Sequence, residues 1–228
     1  MTKINLLNTN ARSIKPKLNS LLDCFNEFEA DFAVLTETWL KDSAVEPLVE
    51  ELSGGSGLGI LTRNREATNN GVAYGGVAVV WRESVGRTSE IKYKNKDGYE
   101  VMVAASSIKG QARKLVIVAC YIPPGYSKVR GAGALAYVED LVVDLKRRYK
   151  DPFVVVAGDF NQWRIGGALE NFVDIKEVDV GNTRGRRSID RIFTNFSRSI
   201  TGYGTLEPLE TEEEEGQSTG SVRDIATP

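Results

Sequence analysis

Apolar and polar positions along this chain follow two different periods. Residues 4–8 form a short apolar run that turns polar at its end, as a strand does where it leaves a core. Pro16 suits the first turn of a helix. Leu18, Leu21, Leu22, Phe25 and Phe28 then recur at helical spacing, which predicts one buried stripe. Residues 32–36 (FAVLT) read as a buried strand, and 43–52 as a shorter helix ended by the glycine-rich loop 53–59. The period then shortens. Runs at 58–62, 76–81, 99–107 and 114–122 are apolar or alternating, with turn signals such as Asn69-Asn70-Gly71 and Lys96-Asp97-Gly98 between them. Leu135, Val138, Leu141, Val142, Leu145 and Tyr149 mark a long helix. Lys146, Arg147 and Arg148 stand at its C-terminal end, where the macrodipole favours cations. Residues 152–157 (PFVVVA) predict a fully buried strand and 188–195 (SIDRIFTN) another. Many strands with few helices outside them predict a layered α/β fold with two sheets face to face.

Length and composition narrow the classes. A chain of 228 residues supports one sizeable core and a single main domain. No run of about 18 apolar residues occurs, so no membrane span is expected. The first 13 residues lack the apolar stretch of a secretory signal. Cys24 and Cys120 are too few to staple a domain of this size, and read as reduced and intracellular. The chain has no histidine. That excludes Ser-His-Asp and Cys-His mechanisms and His-ligated zinc from this chain alone. The net charge of −2 conceals a split: residues 206–228 carry seven carboxylates against one arginine, a net of −6, which leaves +4 on the rest. A mildly basic body is compatible with a polyanionic partner. The acidic segment 210–228 reads as a solvated, disordered tail after a domain at 1–209.

Four segments put carboxylates or carboxamides at the C-terminal ends of predicted strands: 7–10 (LNTN), 36–39 (TETW), 157–161 (AGDFN) and 188–190 (SID). Ligand sites of layered folds lie at strand ends. Glu37, Asp159 and Asp190 each follow residues expected to be buried, and a carboxylate leaving a buried run needs a partner. A hard cation such as Mg²⁺ is one. Taken singly, the signals are weak. An Asp after a strand is commonly a turn former, Asn8 and Asn10 suit turns, and Tyr121 suits a half-buried strand. Gly75 and Gly76 read as a bend at a strand entry, since no phosphate-loop spacing follows them.

Together the segments are specific. The order LNTN, LTETWL, GGVAVV, CYIPP, AGDFN, SIDRIFTN closely resembles the endonuclease domain of non-LTR (LINE-type) retrotransposons. That domain lies in the exonuclease–endonuclease–phosphatase superfamily, beside the abasic-site repair endonucleases. The resemblance covers about residues 1–217 and implies a four-layer αββα sandwich of two packed mixed sheets, DNase I-like. It implies Mg²⁺ (Mn²⁺ as an alternative) held by Glu37, Asn8 and Asp159. It gives Asn8, Glu37, Tyr121, Asp159, Asn161 and Asp190 catalytic roles. Glu37 is the principal metal ligand. Tyr121 touches the phosphate, and Asp159 orients or deprotonates the water. Asn161 bonds phosphate or nucleophile, and Asp190 orients a histidine. Arg12 and the loop Thr183, Arg184, Arg186 and Arg187 would hold DNA, with phosphate contacts and minor-groove insertion. The resemblance further implies a DNA partner, a nuclear location and a monomer. The 228 residues contain no reverse transcriptase segment.

The chain departs from the family after Gln217. The family places a Ser-Asp-His segment there, followed by a strand that completes a sheet. Here the sequence runs STGSVRDIATP, with no histidine and no strand-like run. A frameshift or an alternative exon end would produce such a tail. The expectation is therefore a fold lacking its last strand and a nuclease impaired at its site. The alternatives are a catalytically inactive remnant that binds DNA, or a superfamily phosphoesterase with another substrate.

Overall fold

The computed structural model describes residues 3–65, 74–95, 97–163, 175–178, 189–202, 205, 206, 209, 222 and 223. Strands β1 (Leu6–Asn10), β2 (Phe32–Thr36), β3 (Leu58–Arg63) and β4 (Val77–Arg82) belong to one sheet. Strands β5 (Gly86–Glu90), β6 (Glu100–Ile108), β7 (Leu115–Tyr121), β8 (Phe153–Asp159), β9 (Lys176–Glu177) and β10 (Asp190–Thr194) form a second. Two short strands, β11 (Thr205–Leu206) and β12 (Val222–Arg223), complete the first. The orders are β11-β12-β1-β2-β4-β3 and β5-β6-β7-β8-β10-β9. Both sheets are mixed. β1 runs parallel to β2, and β7 parallel to β8, while the other pairings are antiparallel.

Strand parity builds the layers, because successive side chains point to opposite faces. Leu6, Phe32, Val34, Val77 and Val79 of the first sheet meet Met102, Ala104, Ile117, Ala119, Val155, Ala157 and Ile192 of the second, and these fill the space between them. The opposite parity, Leu7, Ala33, Leu35, Ile60, Ala78 and Val80, packs on helices α1 (Leu18–Glu27) and α2 (Val45–Glu51). On the far side Val101, Val103, Val116, Val118, Val154 and Val156 pack on α3 (Lys128–Tyr149), through Val138, Leu141, Val142 and Leu145. Burying each such aliphatic side chain contributes about 1.5–3 kcal/mol. The result is the expected four-layer αββα sandwich.

Most predicted elements are present, with shifted ends. Pro16 lies in a 3₁₀ turn, Lys15–Lys17, and α1 begins after it. Ser127 caps α3 by accepting the Arg130 N–H. The expected lack of a closing strand is corrected over two residues. Val222–Arg223 pair antiparallel with β1, with Asn8 opposite Arg223 and Thr9 opposite Val222. The rest of the acidic tail lies outside the described residues; Leu209, just before it, is buried. Among the described residues no helix is long and apolar enough to cross a membrane.

Candidate active site

The same parity that fills the core delivers a polar row at its upper edge. On β1, Asn8 and Asn10 share the inward face of Leu6, and on β7 Tyr121 shares that of Ile117 and Ala119. Asp159 ends β8 in register with Tyr121, and Asp190 opens β10 opposite Asp159. β1 packs over β8 and β10, so residues from the two sheets meet at this edge. Asp159 and Asp190 are almost wholly buried.

One amide group ties the site together. Asn10 Nδ2 donates to Glu37 Oε1 at 2.8 Å and to Asp159 Oδ2 at 2.9 Å. The Tyr121 hydroxyl donates to the same Glu37 Oε1 at 3.1 Å. Asn10 is itself aimed by a local bond, its Oδ1 accepting the Arg12 N–H at 3.2 Å. Burial, then the charges of Glu37 and Asp159, push the Tyr121 phenol far above its ordinary value. It therefore stays a proton donor throughout the neutral range.

Backbone geometry aims the carboxylates. Glu37 follows β2 with φ +51°, left-handed for a residue that is not glycine. Its carbonyl accepts the Ser13 N–H at 2.9 Å, and the Thr38 carbonyl accepts the Ile14 N–H at 3.1 Å. Gly158 has φ +147°, and a Cβ there would collide with the Cys120 carbonyl oxygen. Only glycine lets β8 lie so close to β7 just before Asp159. Asn161, with φ +48°, closes the turn: its N–H donates to Asp159 Oδ1 at 2.8 Å and its Nδ2 to the Ile122 carbonyl at 3.1 Å.

Each predicted residue can now be located. Glu37, Tyr121 and Asp159 come together, with Asn161 and Asp190 beside Asp159. Asn10, rather than Asn8, bonds both carboxylates. Asn8 lies one inward position deeper, 1% exposed, and among the described residues neither its Oδ1 nor its Nδ2 has a hydrogen-bond partner. The period of two that puts Asn8 on the core face also puts Asn10 there, so the signal for Asn10 was present. Arg12 enters through its backbone next to Asn10. Thr183, Arg184, Arg186 and Arg187 lie outside the described residues. Among the described residues no three His, Cys, Asp or Glu side chains cluster as metal ligands. The cavity lined by Lys3, Asn5, Asn26, Glu29, Asp31 and Arg82, about 470 Å³, is at the opposite end of the first sheet and takes in none of these residues.

Residues 4–207 match the model of the Endonuclease/Exonuclease/phosphatase family. Solved structures with the same architecture include a 3′ phosphatase, NExo, from Neisseria, bound to product DNA hairpin. It is 16% identical with a TM-score of 0.67, over 99% of both chains. An AP endonuclease from Archaeoglobus fulgidus is 12% identical with a TM-score of 0.66, over 98% of both chains. Truncated TDP2 from Caenorhabditis elegans is 12% identical with a TM-score of 0.70, over 99% of this chain and 97% of that one. At these identities the likeness is one of fold. No curated protein matches the chain in sequence.

Proposed function

Because the chain belongs to the endonuclease/exonuclease/phosphatase family, we propose that it acts on DNA as a Mg²⁺-dependent endonuclease of the non-LTR retrotransposon type, hydrolysing one phosphodiester bond to nick its target. One observation carries this reading: the Asn10 amide and the Tyr121 hydroxyl hold the Glu37 and Asp159 carboxylates together at the strand ends. Hydrolysis needs a positioned water, a proton acceptor and donors toward the phosphate oxygens. Asp159, fixed through both oxygens, is the acceptor for the water's proton. Tyr121 keeps its proton and offers it to a phosphate oxygen. Asn161 holds the turn that aims Asp159.

The residues fit a hard divalent cation. Among the described residues both side-chain hydrogen bonds to Glu37 fall on Oε1, which leaves Oε2 for the ion, and the Asn8 carboxamide oxygen on the same inward face has no partner. Mg²⁺ takes one or two carboxylates and otherwise water and substrate phosphate, so three protein carboxylates are not required. When bound, the cation supplies neutralisation of the charge that develops on the phosphate and leaving oxygen. Arg12 and the basic loop from Thr183 to Arg187 supply sequence-independent phosphate contacts.

Without histidine the site has no imidazole for Asp190 to orient. Losing one such donor costs about 10²–10³ in rate. The test is supercoiled-plasmid nicking with Mg²⁺ or Mn²⁺, beside a phosphoinositide phosphatase assay. Slow nicking that EDTA, Glu37→Ala and Asp159→Asn each abolish is the expected result. Folded protein that binds plasmid without nicking it would make the chain a DNA-binding remnant, and turnover of the lipid alone would move it to another branch of the family.

A further inference from the structure

The inward row holds one more carboxylate. Glu100 opens β6 opposite Tyr121 and is 5% exposed. Its Oε2 accepts the Gly76 N–H at 2.6 Å, and its Oε1 lies 3.2 Å from Arg65 Nε. Arg65 reaches on to the Tyr74 carbonyl at 3.4 Å. The Gly75-Gly76 bend is thus wrapped around the Glu100 side chain.

That bend in turn holds the segment after β2. The Gly75 carbonyl accepts the Trp39 N–H at 2.9 Å, and the Gly76 carbonyl accepts the Thr38 N–H at 3.4 Å. Trp39 also meets Tyr74 edge to face, with ring centroids 5.0 Å apart. Glu37 and Trp39 both have φ +51°. Left-handed backbone at such residues costs about 1–3 kcal/mol each and persists only where neighbours over-determine it. Residues 13 and 14 hold one side of the segment, and the Gly75-Gly76 bend holds the other. Both glycines are needed. They have φ +103° and +88°, and a Cβ would run into Glu100 Oε2 at Gly75 and into Thr38 Oγ1 at Gly76.

We infer that Glu100 is a positioning residue for the cation and phosphate site, clamping the Gly75-Gly76 bend so that Glu37 is held in its left-handed turn with its carboxylate presented to the site. The inference rests on the reading of Glu37 as a cation ligand. Glu100 acts on Glu37 through the bend, by the Gly76 N–H it accepts and the backbone hydrogen bonds from residues 38 and 39 to that bend.

The experiment measures Mn²⁺ binding by the loss of the free-ion EPR signal, alongside Trp emission and thermal melting, on the whole chain. Glu100→Ala removes the acceptor and should weaken Mn²⁺ binding about 10–100-fold, the usual cost of losing a partner that orients a ligand. It should also shift Trp emission as the segment around Trp39 loosens. Glu100→Gln, whose amide oxygen still accepts the Gly76 N–H, should recover most of the affinity. Gly75→Ala, which forces the bend off Glu100, should weaken binding like Glu100→Ala and carries the test if that variant fails to fold. The double variant should be no worse than either single one, since both act through one contact. Folded Glu100→Ala or Gly75→Ala that binds Mn²⁺ as tightly as the parent, while Glu37→Ala does not bind, overturns the inference alone. Parent-like binding by Glu37→Ala overturns the site reading and the inference with it.

Discussion

Replacing Asn10 by aspartate puts a third acceptor between two carboxylates that share its NH₂ group. The parent loses two N–H···O bonds to charged oxygens, at 2.8 and 2.9 Å. Each such bond contributes about 1.5–3 kcal/mol, and partial exposure of Glu37 reduces the share it loses. Like-charge repulsion adds to the loss. A net destabilisation of about 2–4 kcal/mol follows, or roughly 5–15 °C in melting temperature for a domain of this size. The pH dependence has a definite sign. Crowding three carboxyls raises the folded-state pKa of the cluster above the unfolded value of about 4. The folded state then binds the proton more tightly, so the Asn10→Asp deficit is small in acid and grows as pH rises through the raised value. A divalent cation should recover part of the loss by mass action, because it now meets a richer ligand set. The assay is calorimetry in EDTA and in Mg²⁺ at about pH 5 and pH 7.5, either side of the expected rise. Melting of Asn10→Asp within about 1 °C of the parent in EDTA at the higher pH would refute the claim that this amide ties the site.

Three further outcomes follow from single residues. Asn8→Leu removes a buried amide whose polar atoms have no partner among the described residues, and should leave stability unchanged or raise it by about 1–2 kcal/mol in guanidinium titration, while nicking falls at least tenfold; a clear loss of stability would mean that the amide serves the fold. Tyr121→Phe should slow nicking about 10²-fold in single-turnover assays and lower the melting temperature at neutral pH by about 2–6 °C, since it removes one hydrogen bond to the partly exposed Glu37 carboxylate. Since the Tyr121 phenol is pushed up, its contribution to stability is complete below the ordinary value of about 10 and is lost as pH rises beyond it, so Tyr121→Phe should flatten the fall of melting temperature in alkali. Gly158→Ala should fail to accumulate as soluble protein, because its Cβ would meet backbone rather than a movable side chain.

The core elements were legible because periodicity is a local signal. The FAVLT, PFVVVA and SIDRIFTN runs became β2, β8 and β10, and the helical spacing of Val138, Leu141, Val142 and Leu145 became the buried face of α3. The short strand Gly86–Glu90 was missed because its sequence, GRTSE, carries no apolar alternation, and it forms only by pairing along β6. β9, β11 and β12 are two residues each: β9 and β12 pair with the longer β10 and β1, and β11 pairs with β12. Glu37, Asp159 and Asp190 could be read from their place after apolar runs, which is again a local property.

Asn10 and Glu100 show where that kind of reading stops. Both residues sit on the inward face by simple parity, yet what they do depends on which strand ends meet. Asn10 matters because β1 crosses over β8, and its partner Asp159 is 149 residues away in sequence. Glu100 matters because the bend at Gly75-Gly76 closes over it while the segment after β2 leans on the same bend. The strained backbone at Glu37 is the joint product of two loops, one from either side in sequence. A carboxylate can be found by its neighbours along the chain, but the direction in which it points is fixed by groups the chain brings from elsewhere. The strain at Glu37 and the buried charge at Glu100 therefore belong to one device: the cost of each is offset by the contact with the other's loop, and relaxing either one releases the carboxylate that the site uses.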